Sequence, residues 1–464
     1  LLTNRTPPTC LMSFHATTCH SEQRESMLRI QKSETSLTLQ SYSRQASKTN
    51  RFMGENEHDH YKKLTFGFFG EIGGLLSALK KRRRDQLYQT EAEVVSDEIG
   101  DALWYLVNAA ALSGVSANEL GQAGLAFLRR RFNEAFRRQS SEITFRQLDG
   151  IASLHHVVLR GSSEDLLRNL AYASGLAISF KFDRVKLESF ENQTSMFGEL
   201  LGGLVLISAC FDLKIEVIAS HNLLKINDRW PPVKRYLAIE SGGKDFEQFP
   251  LVLEVEFIQR KISNRLVVVQ QIKGLNIGDP LTDNSRRPDG YRFHDIFHIS
   301  YAVHLGWSPV IRALLKLKRK SDPLLDENED GARAIILEEG IATWIFNHAR
   351  GNGRKLYADM IPGRLDYALL KQVRSMLDGL AVADCPLWQW ENAILDGFRV
   401  FRDLYRHKGG AVVADLKKHT LTFTPPKRTV ENVCPQIVSF KKCPVSICQM
   451  YSTRIPKYVR YTIK

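Results

Sequence analysis

Residues 96–107, SDEIGDALWYLV, set acidic side chains directly before an apolar run that reads as buried helix. Ala102 to Val107 predict a helix facing a core, yet Asp97, Glu98 and Asp101 stand ahead of them. Glu98 and Asp101 are i and i+3, so at helical spacing their carboxylates leave one face about a turn apart. Two acids so placed repel unless something positive lies between them. The plainer alternative is a solvated face at a helix start, and Ser96 suits an N-cap with acids in the first turn.

An isolated acid, Glu71, sits upstream in GFFGEIGG, between apolar turns and beside Gly70, Gly73 and Gly74. Each glycine costs a helix interior roughly 1 kcal/mol against Ala, so three of them suggest close approach of something to this helix. If the helix pairs antiparallel with the acid helix, Glu71 meets Glu98 and Asp101. Hard oxygen ligands with room for water and phosphate oxygens are what Mg²⁺ prefers.

The chain of 464 residues is long enough for two or three domains. No uninterrupted apolar run of about 18 residues occurs, so no membrane span is expected. The net charge of +13 is uneven: residues 425–464 carry eight Lys/Arg against one acid. The basic balance is largely a property of that tail and weak support for nucleic-acid binding. Seven cysteines, an odd number without a CxxC pair, indicate a reducing, cytoplasmic setting and no zinc ribbon. Residues 1–36 and 425–464 lack periodicity and are expected to be an unstructured leader and tail. From residue 37 to about Trp230 the pattern is helical, with helices expected over 63–86 and 116–132. FPLVLEVEFIQRKISNRLVVVQQI (249–272) reads as a β-hairpin about Ser-Asn, and helix returns from 289 to about Phe401. RWPP (229–232) and the polar stretch 279–290 are candidate boundaries.

GEIGGLLSALKK followed by SDEIGDALWYL resembles the MazG-like, all-α nucleoside triphosphate pyrophosphohydrolases, whose pattern is G-E-x-x-E on one helix and E-x-x-D on the next. The match lays Glu71 on the first acid, Glu98 on the third and Asp101 on the fourth. The second falls on Gly74, a departure that removes a ligand unless Glu91, Glu93 or Asp97 substitutes. The resemblance implies Mg²⁺, with Mn²⁺ as the alternative, held by Glu71, Glu98 and Asp101. It also implies attack of water on a (d)NTP, releasing (d)NMP and pyrophosphate. The stretch from about 250 to 424, including DGYRFHDIFHISYAVHLGW and LWQWENAILDGFRVFR, resembles the C-terminal domain fused to such enzymes.

Laying residues 71–80 on 172–181 and 98–106 on 199–207 preserves most apolar positions. This suggests a second, degenerate copy with Tyr172 for Glu71 and Gly202 for Asp101. The second copy ends in NLLKINDRW, whose Asn222, Lys225 and Arg229 resemble the N-x-x-K-x-x-x-R that closes the family's domain near the substrate phosphates. The first copy has Gly124 and Phe127 in place of that Asn and Lys. One composite site follows, with acids from one copy and cations from the other; drift in a helical scaffold is the alternative. Lys80 and Lys81 open a basic run that either favours the helix dipole or reaches a triphosphate. His294 and His298, i and i+4 around Asp295, with Glu338 and Glu339 on another helix, form a second candidate metal set.

The expected fold class is mainly α: a catalytic repeat (37–135), a degenerate repeat (145–232) and an α+β domain (240–424). The expected function is Mg²⁺-dependent (d)NTP pyrophosphohydrolysis, with self-association through the bundle as a further expectation. A nucleotide-binding sensor without turnover and a metal phosphohydrolase centred on His294 and His298 are the alternatives.

Overall fold

The computed structural model describes residues 36–426 apart from 53–55, 85–89, 136, 140, 180–186, 238–241 and 352. The expected leader and tail lie outside the described residues, except for Ser36, Pro425 and Pro426. Up to residue 229 the chain forms α1 (Leu39–Ser47), α2 (Glu57–Arg84), α3 (Glu91–Leu112), α4 (Ala117–Arg131), α5 (Phe145–Leu154), the short α6 (His156–Arg160), α7 (Ser163–Ser179), α8 (Leu187–Cys210) and α9 (Ile215–Arg229).

Capping sets the key boundary. Helix α3 begins well before Ser96 because Thr90 and Glu93 form a capping box: Thr90 Oγ1 accepts from Glu93 N at 3.2 Å, and Glu93 Oε2 accepts from Thr90 N at 2.7 Å. Ser96 is therefore interior to the helix. Ser116 and Glu119 start α4 with the same device.

One apolar core joins α1–α9, with Leu39, Leu103, Leu201, Leu204 and Ile215 all at 0% exposure. At its centre lies α8, whose segment Glu191–Cys210 has a mean hydropathy of 1.2 and is long and apolar enough to cross a membrane. A search for uninterrupted apolar runs passes over it. The segment is 67% buried within the bundle, against α3, α4, α5 and α7, and so serves as the core helix.

The two halves meet around a local pseudo-two-fold. Leu39 N donates to Ile143 O at 2.9 Å and Phe145 N donates to Leu37 O at 3.0 Å, with Thr38 bridged to Thr144 between them. Both threonines cap the helices that follow. Helices then pack across the halves, α9 on α3 and α4 on α8.

The second part is a five-stranded antiparallel sheet covered by helices. Its strands are β1 (Val252–Ile262), β2 (Arg265–Ile272), β3 (Leu275–Leu281), β4 (Gly409–Asp415) and β5 (Thr420–Thr424), in the order β3-β2-β1-β4-β5. The hairpin expected at Ser-Asn is present: Ser263 and Asn264 have φ of 45° and 68°, the left-handed pair that a two-residue type I′ turn requires. The helices are α10 (Asp295–Leu305), α11 (Pro309–Leu314), α12 (Pro323–Asn328), α13 (Ala332–Arg350), α14 (Tyr367–Met376) and α15 (Leu387–His407). Val255, Phe257 and Val268 of the sheet share one core with Phe297, Trp390 and Phe401. The stretch 279–290 accordingly holds the end of β3 and the loop that follows it within this unit, and is not a boundary. The chain is thus mainly α with an α+β C-terminal part.

RWPP does separate the two cores, but the parts remain tied there. Arg374 forks onto Asp228 at 2.8 and 2.9 Å, Trp230 Nε1 donates to Gly363 O at 3.1 Å, and Arg229 donates to Leu365 O.

Candidate functional site

Glu71 on α2 and Glu98 and Asp101 on α3 converge where α9 crosses. The Glu71 carboxyl is hydrogen-bonded to Glu98, and burial, then the nearby Asp101, then that bond push it up to about 8. Burial also raises Glu98 and Asp101, the latter against the pull of Lys225. Burial is the largest cause for all three acids, and Lys225 offsets it. Glu71, Glu98 and Asp101 are the residues that would hold a divalent cation here, but in this arrangement they do not bring one oxygen each as close together as the ligand atoms of His294, Asp295 and His298.

Asp101 is gripped from the second half. Lys225 Nζ lies 2.5 Å from Oδ2, and Asn222 Nδ2 donates to Oδ1 at 3.0 Å. The fully buried Tyr42 hydroxyl donates to Asn222 Oδ1 at 2.8 Å, which leaves the amide NH₂ for Asp101. Gly100 makes the approach possible, since a Cβ there would stand 3.2 Å from Asn222 Cβ. Asn222 and Lys225 thus contact Asp101, and Lys225 also lines the neighbouring cavity.

Other expectations change more. A Cβ on Gly74 would meet Glu98 Oε2 at 2.6 Å, so Glu98 itself occupies the room beside the missing second acid. Gly70 and Gly73 have nothing within 4 Å of such a Cβ; they mark an open face, not a close approach. Glu91, Glu93 and Asp97 do not replace the lost ligand. Glu93 caps α3, Glu91 lies 4.0 Å from Arg82, and Asp97 lies 3.8 Å from Lys371. Lys80 and Lys81 are exposed and stand more than two turns along α2 from Glu71, roughly 13 Å at helical rise. They do not reach the acids. Arg229 is buried at the junction with Leu365 and lies over Trp230 and Tyr367, its guanidinium carbon 4.8 and 5.2 Å from the ring centres.

The acids open into a cavity of about 500 Å³ that both parts of the chain line. Glu71, Asp101 and Lys225 form its floor. Arg51, Lys63, Trp104, Trp230, Arg364 and Tyr367 surround them. None of these six was singled out as a site residue from the sequence, although Trp104 and Trp230 stand in the stretches SDEIGDALWYL and NLLKINDRW. The strongest signal for any of them was the adjacency of Trp104 to the acid motif.

His294, Asp295 and His298 make a second cluster, with one ligand atom from each within 4.8 Å of the others. Glu339 reaches it, 3.8 Å from His294 and 3.5 Å from His298. Glu338 lies behind it: the carboxylate accepts from His298 Nδ1 at 2.8 Å, Ser308 Oγ at 2.7 Å and Val310 N at 2.8 Å.

Fold and sites define a mainly α chain with an acid-floored cavity at the seam between a helical bundle and an α+β domain. Residues 238–427 match the family model described as the MazG C-terminal domain. Over those residues the chain is similar to MazG-type proteins, a likeness that suggests a nucleotide-related function; the match does not extend to the bundle. No curated protein and no solved structure matches the chain.

Proposed function

We propose that the bundle cavity binds a nucleoside triphosphate and hydrolyses it between the α and β phosphates, yielding (d)NMP and pyrophosphate with Mg²⁺ or, alternatively, Mn²⁺. The observation that supports this reading is that Glu71, hydrogen-bonded to Glu98 behind it, and Asp101 line a cavity walled by cations and aromatic rings. The metal, when bound, neutralises phosphate charge and acidifies water. Glu71 and Glu98 share a proton, so either carboxylate, once ionised, can orient or deprotonate the attacking water. Lys225 and Asn222 fix Asp101. Arg51, Lys63 and Arg364 supply charge for phosphate oxygens, and Trp104, Trp230 and Tyr367 supply flat faces for a base.

Pyrophosphate release over the eight common NTPs and dNTPs with Mg²⁺ tests the proposal. Metal-dependent formation of monophosphate and pyrophosphate in equal amounts from at least one of them is expected. Gly74 favours a second reading, a nucleotide sensor. Tight binding without release from any of the eight would replace the enzyme by that sensor, and neither binding nor release would end both readings.

A further inference from the structure

The helix start at His294 gathers groups that only accept. His294 Nδ1 lies 2.9 Å from Tyr291 O, and a carbonyl cannot donate, so the proton of a neutral ring is on Nδ1 and Nε2 is bare. His298 Nδ1 faces Glu338 Oε1 at 2.8 Å with the same consequence. Both bare nitrogens point to one place. There His294 Nε2 lies 3.1 Å from Asp295 Oδ1, and His298 Nε2 lies 3.5 Å from Glu339 Oε2. His298 is fully buried, and its Nε2 has no hydrogen-bond partner. Two imidazole lone pairs and two carboxylates facing each other in a buried site are unfavourable unless a cation sits among them.

We propose that His294, Asp295, His298 and Glu339 bind a divalent transition metal, a site in the α+β domain separate from the carboxylate cluster of the bundle. Donor atoms about 2.0–2.2 Å from one ion stand roughly 3–3.5 Å apart, which is the spacing of the two pairs above. A mixed set of two imidazoles and two carboxylates suits Zn²⁺, Mn²⁺ or Fe²⁺, where the all-oxygen set of the bundle suits Mg²⁺. The supports around a ligating histidine are in place: Glu338 and the Tyr291 carbonyl orient the rings, and Gln270 donates to Asp295 Oδ2. Gln270 Oε1 is itself buried without a partner. Glu339 is 42% exposed, so the metal would face solvent on one side and keep a position for water or substrate.

The full chain, stripped with chelator and reloaded separately with Zn²⁺, Mn²⁺, Co²⁺ and anaerobic Fe²⁺, is expected to retain one equivalent of at least one metal after desalting. The Co²⁺ form should show visible absorption that an all-oxygen Mg²⁺ site does not give. Glu339→Gln, at a half-exposed position, should fold normally by CD and lower metal affinity by at least about tenfold, and Glu338→Gln by about 10–100-fold. His298→Gln should abolish retention, whereas Asp101→Asn should leave it intact whether or not the bundle hydrolyses nucleotides. Trace metal only in the parent protein, or full retention in both His298→Gln and Glu339→Gln, would overturn the site and leave two protonated imidazoles as the explanation.

Discussion

The two halves of the bundle face each other across two related junctions that are built in opposite ways. Where α9 meets α3, Asn222 and Lys225 reach Asp101. Where α4 meets α8, Gly124 faces Leu201 and Phe127 faces Gly202. A Cβ on Gly202 would stand 2.2 Å from Phe127 Cδ1, so the ring fills the volume a carboxylate takes in the other junction. A Cβ on Gly198 would stand 2.5 Å from Ala123 Cβ; the matching residue of the first half is Asp97, 3.8 Å from Lys371. One junction is polar where Asp101 meets Lys225, and the other packs Phe127, Leu201 and Ala123 against glycines.

Asp101→Asn should break the polar junction most severely. It removes a proposed metal ligand and the charge that holds Lys225, so pyrophosphate release should fall by about a hundred- to a thousandfold, the scale on which loss of a transition-state charge partner acts. Helical CD should be unchanged, and activity within tenfold of the parent would contradict the role given to this acid. Next comes Lys225→Ala. A charge-assisted contact is worth about 1.5–3 kcal/mol, or roughly ten- to a hundredfold in kcat/KM. Asn222→Ala, which removes a neutral donor, should lose less; full activity in Lys225→Ala would reduce the second half to scaffold.

The glycine-packed junction should answer in stability instead. Gly202→Ala pushes a methyl into the Phe127 ring and should cost about 1–3 kcal/mol in urea unfolding, with kcat/KM kept by the folded fraction. Gly74→Ala meets only the flexible tip of Glu98 and should be close to neutral, since the helix gains roughly 1 kcal/mol from losing a glycine. Equal losses in the two variants would erase the contrast between the junctions.

A further effect is a pH slope. Glu71 is held at about 8 in the folded chain, against about 4.3 for an unfolded glutamate. The folded state then binds more protons between those values, so metal-free stability should be full below about pH 4 and fall as pH rises toward 8. Unfolding midpoints at pH 5 and pH 8 in chelator should differ in the parent and converge in Glu71→Gln. Tyr172→Phe, at the matching exposed position of the second half, should keep the parental slope, and persistence of that slope in Glu71→Gln would assign it elsewhere.

Much of this was legible in the chain because its signals are local. Helical period, the acids before Ala102 and the Ser-Asn turn each depend on a few neighbouring residues. The true start of α3 was also local, in the Thr90–Glu93 capping box, but the acids after Ser96 competed with it. Lys80 and Lys81 look close to Glu71 in sequence, yet helical rise carries them away from the site. Arg364 and Tyr367 show the opposite problem. They join the cavity through a domain junction spanning more than a hundred residues of chain, and no pattern along one strand of text encodes that. Glu338 and Glu339 could not be separated by sequence either; adjacent helix positions point about 100° apart, and only packing sets Glu338 against His298 Nδ1 and Glu339 near the Nε2 atoms of both histidines.

The exchange of backbone bonds between Leu37 and Phe145, with Ser36 bonded to Glu216 and Tyr42 to Asn222 some 180 residues away, also sets a timetable. At synthesis rates of about 5–20 residues per second, α1 emerges roughly 10–40 s before the residues that anchor it. During that interval the newborn first half exposes the faces of α3 that α8 and α9 will later cover. Asn222 and Lys225 belong to the last helix of the bundle to leave the ribosome, so the grip on Asp101 closes only when the whole bundle has been made. A chain truncated before α9 would hold the acids but not the groups that fix Asp101.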